Sequence, residues 1–109
     1  MNKVEPRESE IQAAVMDYLA LKKHFFFRNN NTPIYDSARQ TFRRMPSHAL
    51  RGVSDVILVR SGGIACFLEI KRPGAVLSVW QAEFRDACTK AGAEYHVIYS
   101  VDDLKKIGL

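Results

Sequence analysis

Val53-Ser54-Asp55-Val56-Ile57-Leu58-Val59-Arg60, then Ser61-Gly62-Gly63, then Ile64-Ala65-Cys66-Phe67-Leu68-Glu69-Ile70-Lys71-Arg72 is the stretch that decides the fold. Two runs rich in β-branched and aliphatic residues flank a short glycine-containing loop, which is a hairpin signal. A three-residue loop with glycine at its left-handed position is a common hairpin type. It sets Arg60 opposite Ile64, and the same register sets Asp55 opposite Glu69. Side-chain alternation then puts Asp55, Ile57, Val59, Ala65, Phe67, Glu69 and Lys71 on one face. Val56, Leu58, Ile64, Cys66, Leu68 and Ile70 form the other. A two-residue loop would send Asp55 and Glu69 to opposite faces. Both faces are largely apolar, so helices are expected to cover both.

Upstream, Ile11, Ala14, Val15, Tyr18 and Leu19 recur at helical spacing. Ser9 and Gln12 read as a capping box, Pro6 would suit an earlier start, and the helix should fade near Lys23. Phe25-Phe26-Phe27 reads as a short buried strand ended by Asn29-Asn30-Asn31. Residues 31–51, broken by Pro33 and Pro46, read as a long loop with one helical turn around Ser37 to Phe42. Downstream, Pro73-Gly74 ends the second strand of the hairpin. Ser78 and Gln81 form a second capping box, opening a helix with Trp80, Phe84, Ala87, Cys88 and Ala91 on one face and Gly92 at its end. Tyr95 to Tyr99 is a further strand, and Ser100 and Asp103 suit the start of a short last helix ending near Gly108. The crossover through the Trp80 helix makes its two flanking strands parallel. The expected fold class is α/β: an α-β-β-β-α-β core with a small central mixed sheet flanked by helices.

A chain of 109 residues suits one domain, taken here as residues 1–109. Sixteen Lys and Arg against twelve Asp and Glu give +4. Between Lys22 and Ser54 lie seven basic residues and a single acid, Asp36, so the positive excess is local. A local basic patch points to a polyanionic partner. No apolar run approaches the roughly 20 residues of a membrane helix, and the N-terminus is polar, so no membrane partner and no signal segment are expected. Cys66 and Cys88 form no CxxC pair and read as buried reduced thiols. These features together predict an intracellular, cytoplasmic domain.

Asp55, Glu69 and Lys71 are charges set in strands that otherwise read as core. Buried charges are costly unless paired or metal-bound. A salt-bridged trio at a sheet edge accounts for them, and so does a catalytic site. Two facing carboxylates supply hard oxygen ligands suited to Mg²⁺. A lysine two residues further on shares their face, about 7 Å along the strand. It can orient a water or offset charge building on a phosphate. Metal-assisted phosphodiester hydrolysis needs at least this set.

Asp55 followed by Glu69-Ile70-Lys71 resembles the PD-(D/E)XK nuclease signature, with a restriction-endonuclease-like core. More narrowly, the chain resembles the VRR-NUC family, the virus-type replication–repair nucleases. The matching pieces are Glu8-Ser9-Glu10-Ile11-Gln12, Gly52-Val53-Ser54-Asp55, Glu69-Ile70-Lys71, Ser78-Val79-Trp80-Gln81 and Tyr99-Ser100-Val101-Asp102-Asp103-Leu104. The resemblance covers nearly the whole chain apart from residues 31–50. Ser54 stands where the superfamily name has proline.

The resemblance implies that Asp55, Glu69 and the Ile70 backbone carbonyl bind Mg²⁺ or Mn²⁺. Lys71 would position the attacking water, Gln81 would line the site, and Glu10 would reach it from the first helix. Gln81 is equally a helix-cap partner, and Glu10 equally an exposed first-turn carboxylate. Arg43, Arg44, Arg51 and Arg72 are the candidate DNA contacts. Trp80 and Phe25 to Phe27 read as core, and His24, His48 and His96 as non-catalytic. The expected activity is metal-dependent DNA cleavage by a homodimer, selective for branched over duplex DNA, without a small-molecule cofactor. A phage-encoded enzyme of this kind would act in the host cytoplasm. The alternatives are a DNA-binding module of the same fold that does not cut, and an α/β interaction domain with a salt-bridged trio.

Overall fold

The computed structural model describes residues 5–30, 35–42 and 47–109. Its elements run α1 (Glu8–Leu21), β1 (Phe25–Arg28), β2 (Tyr35–Asp36), β3 (Thr41–Phe42), β4 (Val56–Arg60), β5 (Ile64–Ile70), α2 (Val79–Lys90), β6 (Glu94–Ile98) and α3 (Val101–Lys106). The main sheet has the order β1-β4-β5-β6. β1 and β4 are antiparallel, as are β4 and β5, while β5 and β6 are parallel. The fold is mixed α/β, as expected.

The register of the β4–β5 hairpin is the one the three-residue loop requires. Arg60 pairs with Ile64 and Val56 with Leu68. Gly62 and Gly63 both take positive φ, 92° and 81°, which glycine adopts without steric cost. One sheet face carries Val56, Leu58, Cys66, Leu68, Ile70 and Ile98. It packs against Ile11, Val15 and Leu19 of α1 and against Leu104 and Leu109 around α3. Burying a side chain such as Leu19 stabilises the fold by roughly 1.5–3 kcal/mol.

All three helices end in the same way. At α2, Gly92 N–H donates to Thr89 O and Ala93 N–H to Cys88 O, which is a Schellman motif. α3 repeats it with Gly108 and Leu109. α1 repeats it with Lys23 and His24, so Lys23 holds a φ of 61° usually left to glycine. At the N-termini, Ser78 and Gln81 form the expected capping box. The box expected at Ser9 does not form. α1 starts two residues earlier, with Arg7 as N-cap and no side-chain cap bond, which leaves Ser9 inside the first turn.

Two further expectations are corrected. Phe25 to Phe27 form a strand, but a mostly exposed one: Phe25 is 69% exposed and Phe27 50%. β1 is an edge strand, and its register with β4 puts Phe25 and Phe27 on the same face as Val59 and Ile57. α2 lies over that face near β6 and leaves the β1 side open. Instead of a helical turn, residues 35–42 make a small hairpin, Tyr35 pairing with Phe42 and Asp36 with Thr41. The Asp36 carboxylate accepts from the N–H groups of Ala38 and Arg39, closing the turn. The remainder of the expected 31–51 loop falls partly outside the described residues. No helix among the described residues is long and apolar enough to cross a membrane.

Candidate active site

The polar groups converge at one end of the sheet, where β4 begins, β5 ends and α2 starts. Asp55 stands just before β4, and its Oδ2 accepts from Ile70 N–H at 2.9 Å. That bond ties the entry of β4 to the exit of β5. Glu69, on β5, is only 3% exposed. Its Oε1 accepts from Gln81 Nε2 at 2.8 Å, while its Oε2 is buried with no partner among the described residues. Burial pushes the Glu69 carboxyl from 4.5 up to about 8; the nearby Asp55 adds to the rise and the Lys71 charge opposes it.

Gln81 is the helix-cap partner of Ser78, and it also bonds Glu69. Its backbone N–H donates to Ser78 Oγ at 3.1 Å and its Oε1 accepts from Ser78 N–H at 2.9 Å. Its Nε2 is then free to hold Glu69. The capping box thus fixes the amide that positions the buried carboxylate. Gly52 makes the approach possible. With φ of +75°, it lies so close to the Trp80 carbonyl and Gln81 N–H that any Cβ would overlap them.

Lys71 follows β5, its N–H bonded to Ile98 O at 3.0 Å and its charge felt by Glu69. Glu10 does not join the group. Its side chain is 63% exposed and lies 3.9 Å from Arg7. Glu8 takes its place as the α1 carboxylate whose charge bears on Glu69. Extending the buried Ile11–Val15–Leu19 stripe back by three residues lands on Glu8. Ala14, expected on the inward stripe of α1, is exposed. Two hydroxyls at the site's base also escaped the sequence reading. Ser54 Oγ and Tyr95 Oη are both buried, and the Ser54 hydroxyl is close enough to bear on Tyr95 by a hydrogen bond. Burial, followed by the charge of Glu69, raises the Tyr95 hydroxyl above its usual range. A buried polar stretch before β4 could have been read from Ser54-Asp55, but nothing local marks Tyr95.

The basic candidates are scattered. Arg51 lies over the Trp80 ring, 4.9 Å from its centroid. Arg72 is exposed and ion-paired with Glu5 at 3.4 Å. Arg43 and Arg44 lie outside the described residues. Trp80, expected in the core, is half exposed.

A second group sits on the opposite sheet face. Cys66, Glu94 and His96 bring ligand-type atoms within 4.8 Å of one another. Arg60 Nε lies 2.6 Å from Glu94 Oε2, and His96 Nε2 lies 3.1 Å from Glu94 Oε1. Burial pushes Glu94 up, but its bonds to His96 and Arg60 prevail and hold it below the usual carboxylate range. Burial lifts the Cys66 thiol to about 11. These groups are joined as an ion-pair network around Arg60, which also donates to Ile107 O at 2.6 Å.

No family model, curated protein or solved structure matches the chain.

Proposed function

We propose that the chain is a divalent-metal-dependent DNA endonuclease of the PD-(D/E)XK type, within or near the VRR-NUC family it resembles. The observation that carries the reading is Glu69. A carboxyl held in the interior, with one oxygen bound by Gln81 and the other buried beside Asp55, is charged only at a cost, which a bound cation would offset. Lys71 alone does not offset that cost, since the carboxyl remains raised to about 8.

The donor set fits Mg²⁺ or Mn²⁺: hard oxygens from Asp55 and Glu69, with the Ile70 carbonyl as the third protein ligand. The bound ion supplies an acidified water and neutralises charge on a phosphate. Asp55 and Glu69 would hold it, and Gln81 fixes the orientation of Glu69. Lys71, beside them, orients the attacking water and offsets charge developing on the phosphoryl oxygens. Attack in line at phosphorus would leave a 5′-phosphate and a 3′-hydroxyl. The sheet order β1-β4-β5-β6 and the helix placement are compatible with a restriction-endonuclease-like core. A domain this small has little room for base recognition, so a homodimer selective for branched DNA fits best.

The test is cleavage of synthetic four-way junction, flap and duplex DNA in Mg²⁺, Mn²⁺ or EDTA. The parent chain should cut with either metal and stop in EDTA, and Lys71→Ala should lose at least a hundredfold in kcat. DNA binding without cutting under every condition would instead favour the non-catalytic module.

A further inference from the structure

Beside the first turn of α2, the segment around Ala49 to Arg51 and the flank of α2 carrying Trp80, Glu83 and Phe84 form an open cleft of about 360 Å³. That volume falls in the range of roughly 300–1,000 Å³ typical of small-ligand sites. Leu50, Arg51, Trp80, Glu83 and Phe84 line it. Trp80 and Leu50 remain largely exposed there, so the structure spends two large apolar side chains on an open wall. Resting on the nuclease reading above, we propose that this cleft seats one unstacked nucleobase of the DNA strand being cut, held on the Arg51–Trp80 pair.

The occupant follows from the chemistry of the walls. An indole face and a guanidinium plane both favour a flat π-system, and Arg51 already lies 4.9 Å from the Trp80 centroid. A phosphate is a poor fit, because the cleft is mostly apolar and Glu83 adds a negative charge to its lining. A neutral base suits both features, and Glu83 can accept from an exocyclic amino group. Position supplies the second argument. Trp80 precedes Gln81, whose amide holds Glu69, and Gly52 locks the 49–52 segment against this same turn. The cleft and the carboxylates therefore share the first turn of α2. A strand whose phosphate sits at Asp55 and Glu69 would pass the cleft with a neighbouring base. Unpaired bases are available at junctions and flaps, so such a cleft would favour branched over continuous duplex DNA.

Trp80 is the single tryptophan of the chain, which makes it its own reporter. Junction DNA titrated in EDTA should quench its emission, whereas adenosine monophosphate at equal concentration should not. Arg51→Ala and Trp80→Leu should each weaken junction binding by roughly 5- to 100-fold, the range of one lost base stack. In Mn²⁺ they should raise KM more than they lower kcat. An abasic substitution beside the cut site should reproduce the loss in the parent and add nothing in Trp80→Leu. Melting curves check that the variants fold, and the exposed Arg51 keeps the test open if Trp80→Leu does not. If the parent binds and cuts junctions with unchanged emission, and Arg51→Ala keeps the parent's KM, this proposal falls while the nuclease reading stands. Equal quenching by the mononucleotide also overturns it, in favour of a free-nucleotide site. Absence of both binding and cutting by the parent overturns both.

Discussion

Replacing Glu69 with glutamine should stabilise the metal-free protein at neutral pH and remove its response to divalent cations. The amide is close to isosteric. Its oxygen can still accept from Gln81 Nε2, as Glu69 Oε1 does at 2.8 Å, and its nitrogen can donate toward Asp55. What disappears is the burden of a buried charge. Glu69 is raised from 4.5 to about 8 by burial first and by Asp55 next. A carboxyl with a raised native pKa binds its proton more tightly when folded, so stability falls as pH rises from about 4.5 to about 8. Over that interval, at 1.36 kcal/mol per pH unit, the full loss is about 5 kcal/mol above pH 8. At pH 7 about 3 kcal/mol of it is already present, which for a domain this size is on the order of 10 °C in Tm or more.

The assay is a set of thermal melts of parent and Glu69→Gln between pH 5 and 8.5, in EDTA and in excess Mn²⁺. In EDTA the parent's Tm should drop across this range, while the variant's curve stays flatter and lies above it at pH 8. In Mn²⁺ the parent should regain stability, by about 2.7 kcal/mol at a hundredfold excess over Kd. The gain should grow with pH, because proton and cation compete for the same oxygens. The variant should gain little. A pH-independent parent in EDTA, or a variant less stable than the parent at pH 8, would refute the assignment of Glu69 as an unrelieved buried carboxylate.

Gly52→Ala should cost several kcal/mol in urea melts and lower DNA cleavage, because its Cβ would overlap the Trp80 carbonyl at a φ of +75°. Glu8→Gln should shrink the loss of stability that the metal-free protein shows as pH rises from about 4.5 to 8, since the Glu8 charge raises Glu69, whereas Glu10→Gln should leave that loss unchanged. Native Cys66 should resist alkylation at pH 8 and react only on unfolding, because it is fully buried with its thiol raised to about 11. Lys23→Gly should raise stability by up to about 1 kcal/mol in denaturant melts, since Lys23 occupies the left-handed closing position of α1.

The sequence revealed what local chemistry dictates. The β4–β5 register followed from one loop length, and the Ser78–Gln81 box from a spacing of three. Gly92 marked the end of α2 because a left-handed closing residue is usually glycine. The misreadings arose where tertiary placement decides. Phe25 and Phe27 alternate like any strand, and only the edge position of β1 and the limited reach of α2 leave them exposed. Tyr35 and Phe42 meet edge-to-face with centroids 5.4 Å apart, but strands of two residues carry no period to detect. Glu10 came from the family resemblance, and the helix does not carry it to the site. Alanine is too small to reveal which face it takes, whereas Ile11, Val15 and Leu19 align with Glu8.

The site also explains an asymmetry between the two faces of the sheet. The α1 face is closed by aliphatic side chains and, at its rim, by an ion-pair network in which Arg60 and His96 offset Glu94. The α2 face has aromatic packing at Phe67, Phe84 and Tyr95. There, one buried carboxylate oxygen has no partner. On the first face Arg60 pairs with Glu94, whereas on the second burial and Asp55 raise the Glu69 carboxyl despite Lys71. Holding Glu69 in that state takes the capping box, the Gly52 contact and the Asp55–Ile70 bond together. An ion pair would have relieved Glu69 with a single lysine placed two residues away on the same strand face, yet Lys71 leaves it raised. Such an arrangement costs the protein stability as it stands, and under the proposed function a bound cation would offset that cost.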